Sequence, residues 1–344
     1  MWFSSSRRNK LIPTWLPWFV GIGVSIVASI LALVQLWRKL NVPRSMPLPP
    51  PFDAPSRVQT SKYGHVTYQV IGKEGPPVLV LHGLHAGASS FEMRRVVETL
   101  KETHTVYSVD LLGFGRSDRP DLQYSGGLYV DLIRSFIEEV IARPVILIGR
   151  SLSAVYGASV AIRRPDLVHT LVLINPAQVD GVYTPTNVID RILAPLTRLP
   201  VLGKAYFEWS VSLPRIKKHL GRNLFSKSEA MVDEFLKAAY ATSHQTGASH
   251  APAHLATGRL ALPGGLSDFS RINQPTLVIW GPRTPSNNPP EAAWLSDHPS
   301  VEVAIMHDCG ALPHEEDPAG FATILHEFLA KQQTISRSDD TNSA

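Results

Sequence analysis

The chain predicts an α/β fold: a mostly parallel sheet flanked by helices, with a helical cap insertion and an N-terminal transmembrane helix. Three observations carry this. Short runs rich in Val, Ile and Leu (PVLVLHG, HTVYSVDLL, PVILIGR, HTLVLINP, PTLVIWG and VEVAIMH) alternate with helix-length segments such as YVDLIRSFIEEVI and SLSAVYGASVAIRR. Runs of that length and composition suit buried parallel strands, and the alternation suits a sheet covered on both faces. One gap of nearly a hundred residues, between Pro176 and Pro275, breaks the rhythm. Finally, no charged residue occurs from Leu11 to Trp37.

Taken in order, residues 1–10 form a short flank carrying Arg7, Arg8 and Lys10. Residues 11–37 are long and apolar enough for a membrane anchor, since a spanning helix needs about 20 apolar residues. Trp15, Trp18 and Trp37 lie near its two ends, where amphipathic rings favour the interface. A cleaved signal peptide is the rival reading, but QLWRKLNVPRS offers a poor cleavage site. Gly21, Ser25 and Ser29 read as ordinary small residues of a span. Arg38, Lys39 and Arg44 give the C-terminal side a slight excess of positive charge, which places the globular domain on the cytoplasmic side of a single-pass protein.

Residues 38–56 are proline-dense and read as a stiff spacer. VQTSKYGHVTYQVIG opens the globular part as a hairpin. Residues 57–176 and 273–331 then make the α/β core. The long gap, 177–272, must carry structure of its own; it holds helical stretches such as MVDEFLKAAYATSH and is assigned to the cap. Residues 332–344 are polar and aperiodic and are expected to be disordered.

Composition narrows the function classes. Apolar residues make up 44% of 344 and charged residues 18%, enough for a sizeable core. The net charge of +4 comes without an aromatic-laced basic patch, so nucleic acid is not an expected partner. Cys309 is the sole cysteine, which excludes an internal disulfide and leaves no basis for a cysteine zinc site. No metal or other cofactor is expected.

Three motifs carry the chemistry. In PVILIGRSLSAVYGASVAI a buried strand turns through Gly149-Arg150-Ser151-Leu152-Ser153 into a helix, which resembles the nucleophile elbow G-x-S-x-G, with Ser153 in place of the second glycine. The N–H of Leu152, at the helix start, suits developing negative charge. VLHGLHAGASSF resembles the His-Gly loop that supplies a second oxyanion donor, and VDLLGFGRSDRP a D-x-x-G-x-G-x-S turn in which Gly113 and Gly115 ease the backbone. In their order these matches resemble the α/β-hydrolase superfamily over about residues 57–330. The resemblance implies Ser151 as nucleophile, Leu84 and Leu152 as oxyanion donors, and structural roles for His82 and Asp110.

The resemblance also exposes two departures. Ala311, in HDCGALPHEEDP, stands where the family carries its catalytic histidine, and Thr284, in WGPRTPSNNPP, stands where it carries its acid. Alanine accepts no proton, and threonine bears no charge to steady an imidazolium. His314 and His85 are the candidates for a displaced base; Asp308, Asp180 and Glu315 are the candidate carboxylates to serve beside one; His244, His250 and His254 read as cap packing. Removing the base of such a triad costs up to about 10⁶-fold in turnover. The leading expectation is therefore a membrane-anchored, degenerate hydrolase with a binding, scaffolding or regulatory role and an apolar small-molecule ligand. The alternative is an active serine hydrolase on an ester or lipid-like substrate, using Ser151 with a displaced base.

Overall fold

Eight strands form one sheet in the order β1-β2-β4-β3-β5-β6-β7-β8. The computed structural model describes residues 16–42, 45–48, 50–177, 201–262, 269–283 and 298–342. The hairpin β1 (Ser56–Ser61) and β2 (Gly64–Ile71) pairs antiparallel in the register Ser61↔Gly64, and β2 pairs antiparallel with β4 (Thr105–Val109). The remaining strands are parallel: β3 (Pro77–Leu81), β5 (Val145–Arg150), β6 (Val168–Ile174), β7 (Thr276–Trp280) and β8 (Val301–Ile305). Each apolar run of the sequence is thus a strand. β3, β5 and β7 are buried at every position, as strands covered on both faces must be. β8 departs from that pattern. It lies at the sheet edge and leaves Val303 and Ile305 exposed.

Helices α2 (Arg94–Leu100), α3 (Gly126–Phe136) and α4 (Leu152–Arg163) connect the strands. Ser125 caps α3 by accepting from the Leu128 N–H at 3.2 Å, satisfying a donor that a helix start otherwise leaves open. One face of the sheet packs Leu79, Leu81, Leu147 and Leu171 against Phe136, Tyr156 and Val160. The other packs Val78, Val80, Ile148 and Ile279 against Val97, Leu100, Phe321 and Leu325. Each such aliphatic side chain, fully removed from water, contributes roughly 1.5–3 kcal/mol.

Between β6 and β7 lie α5 (Leu202–Ser210), α6 (Leu213–Asn223), α7 (Asp233–Ser243) and α8 (His250–Ala256), within the segment assigned to the cap. Phe225, Phe235, Leu236 and Leu312 form a separate apolar cluster there, with Ala86 and Phe91 of the loop after β3 packed against it. The approach is close: a Cβ at Gly87 would stand 2.8 Å from the Ala239 carbonyl of α7. The cap therefore bears directly on that loop. Two helices end the chain, α9 (Pro313–Glu316) and α10 (Pro318–Asn342). The last continues to Asn342, past residue 332, where the sequence leads one to expect order to stop.

The N-terminal helix, which we label αN (Leu16–Asn41), requires a correction. Among the described residues no helix is long and apolar enough to cross a membrane, so the anchor expected over 11–37, and with it the single-pass placement and the bilayer as partner, is not carried forward. The C-terminal turn of αN is polar and belongs to the globular part. Arg38 donates from Nε at 2.5 Å and from Nη2 at 2.9 Å to the carboxylate of Glu208 on α5. The segment after it is not a free spacer either. Gln245 donates to the Met46 carbonyl at 2.6 Å, and Phe52 is buried in the core.

Candidate active site

The C-terminal ends of β3 and β5 lie side by side, with Leu81 opposite Gly149 in the ladder. The loops that leave them hold the chemistry. β5 ends at Arg150, α4 starts at Leu152, and Ser151 between them has φ 55° and ψ −126°. A non-glycine residue at positive φ costs on the order of 1–3 kcal/mol and persists only where its surroundings fix it. They do so here. A Cβ at Gly149 would lie 2.8 Å from the Ala154 Cα, so only glycine fits beneath the turn. Ser153, the departure from the motif, is wholly buried and donates from Oγ to the His82 carbonyl at 2.6 Å. Its hydroxyl is a tie between the elbow and the neighbouring loop.

That loop begins His82-Gly83-Leu84-His85. His82 accepts the Leu111 N–H at Nε2 (2.9 Å) and donates from Nδ1 to the Gly83 carbonyl (2.6 Å). Both nitrogens are engaged, and burial lowers its pKa, so the ring is a neutral brace. Among the described residues, neither the Leu84 N–H nor the Leu152 N–H has an acceptor. Free backbone donors on the adjoining loops after β3 and β5 suit an oxyanion hole. Asp110 accepts from the Ser90 N–H at 2.7 Å and the Arg116 N–H at 3.0 Å, which fixes the turn after β4.

Beneath the elbow lies a buried ionic cluster that the sequence reading missed. Glu92 accepts from Arg150 Nε at 3.0 Å and Nη2 at 3.3 Å, from His85 Nε2 at 2.9 Å, and from the Gly83 N–H. Glu92 and Arg150 are each about 2% exposed. Burial by itself raises the carboxyl pKa; Arg150 and His85 outweigh it and hold Glu92 well below the usual carboxylate range. The guanidinium lies flat under the oxyanion loop, since a Cβ at Gly83 would meet Arg150 Nη2 at 2.3 Å. The signal was present in the sequence as an arginine directly before the serine and a glutamate in SSFEMRR, two opposite charges in otherwise apolar surroundings.

The last loop is a different place. Ala311 is buried at 7% exposure and brings no proton acceptor. His314, on α9, is wholly buried. Its Nε2 donates to the Glu92 carbonyl at 2.9 Å, its ring packs on Phe321 with centroids 5.5 Å apart, and Nδ1 has no partner among the described residues. Burial pushes it down to about 4, so it is neutral at pH 7. Glu315 pairs with Arg94 at 2.7 Å, and burial raises its carboxyl to about 7. Asp308 pairs with Arg283 at 2.8 Å on the surface. Thr284 and Asp180 lie outside the described residues.

The cap histidines make packing contacts. His244 Nδ1 donates to the Tyr240 carbonyl at 2.8 Å, His250 Nδ1 to the Arg119 carbonyl at 2.9 Å, and His254 lies against the Tyr124 ring at 5.8 Å. Among the described residues no group of three or more His, Cys, Asp or Glu is placed to hold a metal ion.

Comparison with known proteins places this geometry. A family model described as "Alpha/beta hydrolase family" matches residues 78–324. The chain is 29% identical over 282 residues to a 2-hydroxy-6-oxo-6-(2'-aminophenyl)hexa-2,4-dienoic acid hydrolase of Metapseudomonas resinovorans, covering 79% of this chain and 89% of that one. It is 26% identical over 278 residues to a 2-hydroxymuconate semialdehyde hydrolase of Pseudomonas sp. strain CF600, covering 77% and 90%. Among solved structures, the meta-cleavage product hydrolase of Pseudomonas fluorescens IP01 superposes with a TM-score of 0.65 at 21% identity, over 80% of this chain and 98% of that one. These relatives are named as hydrolases and align over most of the chain. With no membrane-crossing helix among the described residues, they overturn the expectation of a membrane-anchored, degenerate protein with a binding, scaffolding or regulatory role. The elbow, the paired loops and the match over residues 78–324 lead to one conclusion: the chain belongs to the alpha/beta hydrolase family.

Proposed function

We propose that the protein is a hydrolase that cleaves a bond at a carbonyl carbon, with Ser151 as nucleophile and the N–H groups of Leu84 and Leu152 as the oxyanion hole. The observation that carries this reading is the strained Ser151 backbone, at φ 55° and ψ −126°, with two donors left without an acceptor, among the described residues, on the adjoining loops. Backbone strain is retained where it aims a group, and free donors are costly unless charge develops beside them. The relatives support the chemistry, since one is named for a 6-oxo acid and another for a semialdehyde. We take the substrate of this chain to be an ester or a ketone with an apolar portion. That portion would lie under the cap, where Ala86 and Phe91 meet the cluster of Phe235 and Leu312.

Labelling with a fluorophosphonate probe tests the assignment. The native chain should be labelled, and Ser151→Ala should not; loss of a serine nucleophile costs up to about 10⁶-fold in turnover. A native chain that resists the probe, or a Ser151→Ala chain that takes it up equally, would remove Ser151 from the mechanism.

A further inference from the structure

Given Ser151 as nucleophile, the site still needs a proton acceptor, and Ala311 supplies none. His314 also leaves Nδ1 without a partner among the described residues, but it is wholly buried and its Nε2 donates to the neutral Glu92 carbonyl rather than to a carboxylate. His82 has both nitrogens engaged. The third imidazole of this region is His85. It follows Leu84 in the oxyanion loop, is 9% exposed, and donates from Nε2 to the Glu92 carboxylate at 2.9 Å. Its Nδ1 is buried and has no partner among the described residues. We propose that His85 is the general base of this enzyme, oriented by Glu92, with Arg150 as the positioning residue that fixes that carboxylate.

The pairing does for His85 what the missing acid and histidine do for each other elsewhere in the family. A carboxylate on one ring nitrogen selects the tautomer that leaves the other nitrogen as a lone pair and stabilises the imidazolium that forms. Glu92 can serve because it stays ionised: burial opposes its charge, but Arg150 and His85 prevail. The charged or titratable groups around His85 are therefore Glu92, Arg150 beyond it, and the neutral His82. Topology sets the loops that carry base and nucleophile side by side. Their loops leave adjacent strands at Leu81 and Gly149 and are tied by the bond from Ser153 Oγ to the His82 carbonyl. In the resting arrangement Nδ1 bonds to nothing, Ser151 included; catalytic hydrogen bonds in unliganded enzymes often close only with substrate.

The chemistry balances as follows. The Ser151 Oγ–H bond breaks, its proton goes to His85 Nδ1, and Oγ bonds to the carbonyl carbon. The carbonyl π pair moves to oxygen, opposite the Leu84 and Leu152 N–H groups. As that carbonyl re-forms, the bond to the leaving group breaks, and the leaving group takes its pair and the proton from Nδ1. A water then gives its proton to Nδ1 and its oxygen to the acyl carbon. Collapse returns the proton to Ser151 Oγ and frees the acid. One water is consumed and no oxidant or reductant enters.

The test measures fluorophosphonate labelling rate and p-nitrophenyl butyrate hydrolysis on the full chain. His85→Gln should lower both about 10²- to 10⁴-fold, the usual worth of a general base. In His85→Ala, added imidazole should recover part of the rate, which a merely structural histidine would not allow. A His85→Gln chain with the native rates, or a folded His85→Ala chain deaf to imidazole, would each overturn the proposal. Ser151→Ala run in parallel keeps the readings apart. If it abolishes labelling while His85→Gln does not, Ser151 stands and His85 falls; if it changes nothing, the nucleophile assignment itself fails.

Discussion

Two loops at the same end of the sheet have opposite characters. The loop after β3, with the elbow beside it, keeps free donors, a strained serine and a buried ion cluster. The loop after β8 is closed upon itself. Glu316 accepts the Gly310 N–H at 2.6 Å and the Ser226 N–H at 2.9 Å, His314 holds the Glu92 carbonyl, and Ala311 fills a buried position. The loop from which the family draws its base has become a strut, while the oxyanion loop has acquired an imidazole and a carboxylate. What the difference teaches is that a missing histidine in one loop does not measure the chemistry of a site assembled from several.

The contrast can be broken first at its most charged point. Glu92→Ala leaves Arg150 buried without its counter-ion, and stranding one partner of such a pair costs about 3–5 kcal/mol. An unfolding free energy lower by that amount is expected in urea, seen as a lower midpoint with the slope unchanged. Next comes the oxyanion donor. Leu84→Pro removes one N–H, and k for p-nitrophenyl butyrate hydrolysis should fall about 10²- to 10³-fold, the equivalent of about 2.7–4 kcal/mol of barrier.

The strut is tested through pH. The folded His314 pKa is near 4 against an unreacted value of 6.5, so the unfolded chain binds the proton more tightly. Stability from this group is complete above pH 6.5 and is lost as pH falls toward 4; at 1.36 kcal/mol per unit that amounts to about 3 kcal/mol. His314→Ala should flatten the stability–pH curve in that window, and the folded fraction should still be labelled at Ser151. The smallest effect is at the tie between the loops. Ser153→Ala removes a hydrogen bond to the His82 carbonyl and should cost about 1–3 kcal/mol for the acceptor left buried. A change in labelling rate larger than its change in stability would show that the tie sets donor spacing.

The fold was legible because period and length decide it. Runs such as PVILIGR are short and uniformly apolar, as strands of a covered sheet are; each became a strand, and β8 alone of these runs lies at the sheet edge with exposed residues. The elbow at Ser151 was legible because a tight strand-to-helix turn leaves a local trace in G-R-S-L-S. Glu92 and Arg150 were not, since they are 58 positions apart and their meeting depends on β3 and β5 being neighbours. His85 was found as a candidate but not with its carboxylate: the two are only 7 positions apart, yet their meeting is set by the irregular turn between them, which has no periodic signature. The N-terminal helix misled because an apolar composition carries no record of Arg38 reaching Glu208.

Glu92 gathers the Gly83 amide, the His85 ring and the Arg150 side chain on its carboxylate, while its own carbonyl anchors His314. A residue with so many dependants constrains ancestry. Single replacements around it would each strand a neighbour, so the constellation is expected to be kept or lost as a block. Descendants that retain the arginine before the serine should retain the glutamate too, or lose both together.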